Sequence, residues 1–126
     1  MKGQQHRLLL VEDHEATRHI LRRILALTLT GWNVAEAATV EEGLAQLDPP
    51  PDCVLLDLEL PDGPGEDILR KVRKDHLSTR VVVNTGTANL ARLEAVSALK
   101  PEAVLQKPLN SSGLRRIHRV ATELTN

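Results

Sequence analysis

Cys53-Val54-Leu55-Leu56-Asp57 is a short apolar run that stops abruptly on a carboxylate. Its apolar residues are consecutive rather than alternating, so a strand built from them has both faces covered. The same pattern recurs in both directions along the chain. Arg7 to Val11 ends in Glu12-Asp13, and Trp32 to Glu36 forms the second run. Val81-Val82-Val83 ends in Asn84-Thr85-Gly86, and Ala103 to Gln106 ends in Lys107-Pro108. Between the runs lie stretches with a helical period. Ile20, Ile24 and Leu27 mark one face of the first, and Leu114, Ile117, Ala121 and Leu124 a buried stripe in the last. Thr39 with Glu42 reads as a capping box for the second helix, which Pro49-Pro50-Pro51 stops. Pro64 suits the first turn of the third helix, and Asn110 or Ser111 caps the fifth. The pattern predicts a doubly wound α/β fold, a five-stranded parallel sheet with helices on both faces.

The 126 residues fit the size of one domain, with no internal repeat, low-complexity tract or linker, so a single domain over 1–126 is expected. Sixteen basic against 17 acidic residues leave no global field pointing to nucleic acid or membrane. One Trp and no Phe or Tyr imply an aliphatic core and exclude a surface that stacks bases on aromatic rings. Cys53, the sole cysteine, can form neither an internal disulfide nor a paired zinc site, which fits a reducing cytoplasm. Leu8 to Val11 is far too short for a signal-peptide core or a membrane span.

Ligands of open parallel sheets bind outside the carboxyl ends of the strands. There the chain places Glu12 and Asp13, Asp57, Thr85 and Lys107, drawn from four separate strands. Two carboxylates about 4 Å apart repel by roughly 4 kcal/mol at an effective dielectric near 20. Three together raise their own pKa values or capture a divalent cation. Oxygen ligands without His or Cys select Mg²⁺ or Mn²⁺ over zinc. Lys107 and the Thr85 hydroxyl suit the remaining oxygens of a phosphoryl group, and Asp57 is the natural nucleophile, forming an acyl phosphate.

The chain resembles the receiver domain of bacterial two-component response regulators over essentially its whole length. The resemblance rests on Leu9-Leu10-Val11-Glu12-Asp13, on Val54 to Gly63 around Asp57, on Val83-Asn84-Thr85-Gly86, and on Leu105-Gln106-Lys107-Pro108. It implies the flavodoxin-like strand order 2-1-3-4-5 and a phosphoryl group taken by Asp57 from a phosphohistidine. It also implies Mg²⁺ held by Asp13, Asp57 and the backbone carbonyl of Glu59, with Glu12 touching the metal directly or through water. Thr85 would swing toward the phosphoryl group, Lys107 would pair with it, and the Lys107-Pro108 bond would be cis. The implied partners are a histidine kinase or histidine phosphotransfer protein, docking near the first helix at residues such as Thr17 and Arg18. A homodimer or downstream protein would use the face of helix 4, strand 5 and helix 5; nucleic acid and membrane are not expected partners. Such a protein is a cytoplasmic signalling phosphoacceptor that catalyses its own phosphorylation and dephosphorylation, not an enzyme acting on other substrates.

Single features carry blander readings. Glu12-Asp13 alone is an acidic turn, Thr85 a helix cap, Lys107 a surface lysine, His14 a rim residue, and Cys53 and Trp32 core packing. The basic side of helix 5, Arg115, Arg116, His118 and Arg119, reads first as a solvated face. A haloacid-dehalogenase-like phosphatase needs its nucleophile on the first strand and a second acid two residues later. A flavodoxin needs a hydroxyl-rich phosphate loop where this chain has Glu12-Asp13-His14-Glu15. A scaffold that has lost phosphorylation is at odds with an intact acid, Thr and Lys set.

Three positions depart from the family pattern. Val104 stands where the family usually has Tyr or Phe, Asn84 where an aliphatic residue is common, and Pro101 where a small residue is usual. Without the ring, phosphorylation is expected to shift helix 4 with less ordering of strand 5 than is customary. Amide-exchange changes that spread through strand 5 as widely as over helix 4 would contradict this.

Overall fold

A computed structural model describes residues 5–123. Five parallel strands form one sheet: β1 (Arg7–Val11), β2 (Asn33–Ala37), β3 (Cys53–Leu56), β4 (Arg80–Thr85) and β5 (Ala103–Gln106). Their order is β2-β1-β3-β4-β5, as expected. A two-residue antiparallel ladder, Glu59–Leu60 with Gly63–Pro64, lies outside the sheet and takes no strand number. Five helices are described: α1 (Glu15–Thr28), α2 (Val40–Ala45), α3 (Glu66–Lys74), α4 (Leu90–Ala98) and α5 (Ser111–Thr122).

The consecutive apolar residues of the strands feed two cores by period-2 alternation. Leu9, Val11, Val54, Leu56, Val81 and Val83 face α2, α3 and α4, packing on Val40, Ile68, Leu69, Val72 and Val96. Leu8, Leu10, Leu55 and Val82 face α1 and α5, packing on Leu21, Leu25, Ile117 and Val120. The sheet is therefore covered on both sides.

Several local expectations hold. Thr39 Oγ1 accepts from the Glu42 N–H at 3.0 Å, while the Glu42 carboxylate reaches one residue further back than a capping box does, to the Ala38 N–H at 2.7 Å. Asn110, rather than Ser111, caps α5 through the Gly113 N–H. Trp32 is half-buried against the α1 and α5 core and stacks on His6. Leu124, expected in the α5 stripe, lies outside the described residues.

Two expectations are corrected. Pro64 does not open α3: it pairs with Glu59 in the short ladder, and α3 begins at Glu66 after Gly65. The buried stripe of α1 is Leu21 and Leu25, continued by Leu29, while Ile20 and Leu27 stand 57% and 81% exposed. Both triplets have helical spacing, so periodicity alone does not choose between neighbouring arcs of one helix. Leu25 is fully buried, and Leu25→Ala should lower stability by about 2–5 kcal/mol. Leu27→Ala should change it by no more than about 0.5 kcal/mol, both read from urea unfolding midpoints.

Candidate functional site

Glu12, Asp57 and Lys107 leave the sheet one residue beyond the last paired position of their strands and Thr85 on it, while Asp13 and Glu59 follow two and three residues beyond theirs. The ladder hydrogen bonds continue into the site: Glu12 N–H to Ala37, Asp57 N–H to Val11 and Lys107 N–H to Thr85, at 3.0, 3.0 and 2.8 Å. Backbone pairing therefore fixes where these side chains start.

Glu12 and Asp57 are buried, at 2% and 4% exposure, and Lys107 Nζ bridges them, 2.9 Å from Glu12 Oε1 and 3.1 Å from Asp57 Oδ2. Burial alone would lower the Lys107 pKa, but the hydrogen bonds it donates to the two carboxylates outweigh it and hold the ammonium above its ordinary value. Glu12 Oε2 accepts from the His14 N–H, and Asp57 Oδ1 from the Glu59 N–H at 3.2 Å. Asp13 is exposed, yet it brings an oxygen into one cluster with Glu12 and Asp57, all within 4.8 Å of one another. Three carboxylates face one ammonium, a donor set and charge excess that fit a hard divalent cation. The Glu59 side chain does not join them; it is exposed, 3.7 Å from Arg92.

Thr85 is completely buried, its hydroxyl oxygen accepting from the Thr87 N–H at 3.1 Å. No hydrogen bond joins it to Asp57 among the described residues. The Lys107-Pro108 peptide bond is cis. Asn84, 4% exposed, keeps its side-chain oxygen without a protein partner, at a cost of about 1–3 kcal/mol. It helps line an open cleft of about 630 Å³ with Glu12, Lys107, Ile20, Ile24 and Leu109. Thr17 and Arg18 are only half-exposed: Arg18 is held by Glu36 and the Glu12 carbonyl, whereas Glu15, Ala16, His19 and Ile20 face outward. Cys53 is packed away, its thiol pushed up to about 12 mainly by burial.

A family model described as the response regulator receiver domain matches residues 8–119. The chain belongs to the response regulator receiver family. It is 36% identical over 116 residues to the acid tolerance regulatory protein ActR of Rhizobium meliloti, covering 89% of this chain and 57% of that protein. It is 34% identical over 115 residues to the KDP operon transcriptional regulatory protein KdpE of Escherichia coli, covering 90% and 50%. A crystal structure of a CheY-like receiver domain protein from Methanospirillum hungatei superposes with a TM-score of 0.86 at 29% identity, covering 97% and 98%. The receiver chain thus spans about half the length of these curated relatives. It is a signalling domain of two-component systems, and no described helix is long and apolar enough to cross a membrane.

One feature of the receiver escaped the sequence reading. Arg92 of α4 grips Glu66 of α3 side-on, Nε to Oε2 at 2.7 Å and Nη2 to Oε1 at 2.9 Å, and Nη2 also donates to the Leu58 carbonyl at 2.7 Å. The signal was positional: Glu66 shares the helical stripe of Leu69 and Val72, and Arg92 that of Val96 and Leu99. Removing Arg92 would leave the buried Glu66 carboxylate uncompensated, a loss smaller than the roughly 3–5 kcal/mol of a fully buried pair because the guanidinium is half-buried. Burial pushes the Glu66 pKa up, but the Arg92 hydrogen bonds prevail and hold it below the ordinary glutamate value of 4.5. A depressed carboxyl contributes stability above its unfolded pKa that is lost as pH falls through the folded one. Glu66→Gln should therefore flatten the acid arm of stability as pH falls below the ordinary glutamate value of 4.5. Equal slopes of urea midpoint against pH in both proteins would contradict it.

Proposed function

We propose that residues 1–126 act as one phosphoacceptor receiver domain, in which Asp57 takes a phosphoryl group from the phosphohistidine of a histidine kinase or histidine phosphotransfer protein. The observation that carries this reading is the convergence of Glu12, Asp13, Asp57 and Lys107 at one sheet edge, with Asp57 and Glu12 buried. An Asp57 carboxylate oxygen attacks phosphorus, the O–P bond forms, and the P–N bond to the donor imidazole breaks as the freed nitrogen takes a proton. Lys107 is poised to exchange one of its carboxylate contacts for a phosphoryl oxygen, which keeps its charge compensated throughout. Thr85 supplies a hydroxyl that must leave the Thr87 N–H to reach that group.

Glu12, Asp13, Asp57 and the Glu59 carbonyl would hold Mg²⁺ or Mn²⁺. Bound there, the cation supplies neutralisation of the phosphoryl oxygens. The same machinery, with water as the attacking group, accounts for autodephosphorylation. The cleft beside Glu12 and Lys107 is bordered by α1 and the segment after β5, which makes it the entry side for the donor. A partner reading the output would bind the face of α4, β5 and α5, or a second copy would pair there. Exchange with such kinases places the protein in the cytoplasm.

The test is the intact mass after incubation with acetyl phosphate or phosphoramidate, with and without Mg²⁺, beside Asp57→Asn. One phosphoryl adduct is expected, dependent on the metal and lost in the variant. No adduct, under conditions that label a known receiver, would remove the mechanism; an adduct surviving in Asp57→Asn would move the nucleophile elsewhere.

A further inference from the structure

The Leu58–Glu59 peptide unit faces two ways. Its N–H, from Glu59, donates to Asp57 Oδ1 at 3.2 Å. Its carbonyl, from Leu58, accepts from Arg92 Nη2 at 2.7 Å and from the Gly65 N–H at 2.8 Å. The nucleophile's carboxylate and a guanidinium on α4 are thus joined through one rigid plane. The backbone of Gly65 lies directly against the preceding peptide unit, Asp57–Leu58: a Cβ there would collide with the Asp57 carbonyl oxygen and approach Leu58 Cα to 2.9 Å. Glu66, the next residue, holds Arg92 by two further bonds.

The helix at the other end of this link is lightly anchored. Val96 is the one buried residue of α4, and Leu90 in its first turn is 75% exposed. The Arg92 clamp is the hydrogen-bonded tie that holds the first half of α4 to the segment after Asp57. β5 meets the segment before α4 through one exposed bond, Gln106 Nε2 to the Thr87 carbonyl at 2.9 Å, and Val104 packs on the α4 side of the sheet as a plain aliphatic residue.

Resting on the reading of Asp57 as phosphoacceptor, we infer that Arg92 is the positioning residue that couples this receiver's site to its output helix. Through the Leu58–Glu59 peptide it steadies the Asp57 carboxylate, and through the same bonds it makes the start of α4 depend on what Asp57 carries. Phosphorylation turns a carboxylate into an acyl oxygen, a weaker acceptor for the Glu59 N–H. It also adds phosphoryl charge that draws the guanidinium. Both changes act on one peptide plane, so the bonds at its carbonyl end rearrange around Arg92 and the first turn of α4 follows. A guanidinium suits this role because it makes parallel bonds to Glu66 while reaching a carbonyl, which an ammonium cannot reproduce.

The experiment compares full chains of the wild type, Arg92→Ala and Arg92→Lys, the last keeping a positive charge opposite Glu66 should the alanine variant fail to fold. Adduct formation is followed by intact mass with acetyl phosphate and Mg²⁺, and amide shifts and exchange by NMR at Glu59 and over residues 89–98. In the wild type the adduct should shift both Glu59 and α4 amides. In either variant the adduct should still form, the Glu59 amide should exchange about tenfold faster, and α4 should no longer respond to the adduct. A variant whose α4 amides respond as in the wild type overturns the coupling and leaves the phosphoacceptor reading intact. A wild-type chain that forms no adduct overturns both.

Discussion

A single ammonium joins three strand ends of this protein. Lys107, at the end of β5, reaches Glu12 across 95 residues of sequence and Asp57 across 50. Neither carboxylate is tolerable at its depth without a counter-charge, because desolvation of an unpaired ion costs several kcal/mol. The bridge sets one ammonium between two buried carboxylates, with the Asp13 carboxylate beside them. That arrangement stores an excess of negative charge at one sheet edge, the place where the proposed function needs a cation and a phosphoryl group.

The sheet divides the consequences of that site between its faces. Thr85 and Val83 alternate with Asn84 and Val82 along β4, so one set looks toward α3 and α4 and the other toward α1 and α5. On the α1 and α5 side lie the cleft, exposed Ile20 and the buried, unpaired oxygen of Asn84. On the other side lie Thr85, Val104 and the Arg92–Glu66 clamp, whose polar connections run within the molecule. The cleft and the Arg92–Glu66 clamp therefore lie on opposite sides of the sheet, with Asp57 on the edge between them.

The fold was legible because it rests on repetition. Five apolar runs ending in polar residues leave few topologies open, and the runs at Arg7, Cys53 and Ala103 match their strands to the residue. The acid, Thr and Lys set was legible for a related reason: strand ends deliver side chains to one edge wherever the helices lie. Legibility failed where neighbouring choices differ by one residue. Leu21 and Leu25 against Ile20 and Leu27 is a rotation of α1 by one position, decided by which arc meets Leu8 and Leu10. Pro64 was placed by its local preference, whereas pairing with Glu59 decided its place.

Arg92 and Glu66 show a different limit. Each sits on the buried stripe of its own helix, yet a charged residue in such a stripe announces only that a partner is needed, not where it comes from. The partner lies 26 residues away, and the third member of the clamp is a backbone carbonyl that no side-chain pattern records. The absence of an aromatic ring at Val104 acquires its meaning from this geometry. A ring would couple β5 to Thr85 by packing, a contact that grades with distance. A half-buried guanidinium paired with the buried Glu66 carboxylate and sharing a carbonyl favours one arrangement, because an intermediate would leave the carboxylate unpaired. On the coupling inferred for Arg92, the abruptness that a switch requires resides in α4 and its guanidinium, one peptide plane from Asp57.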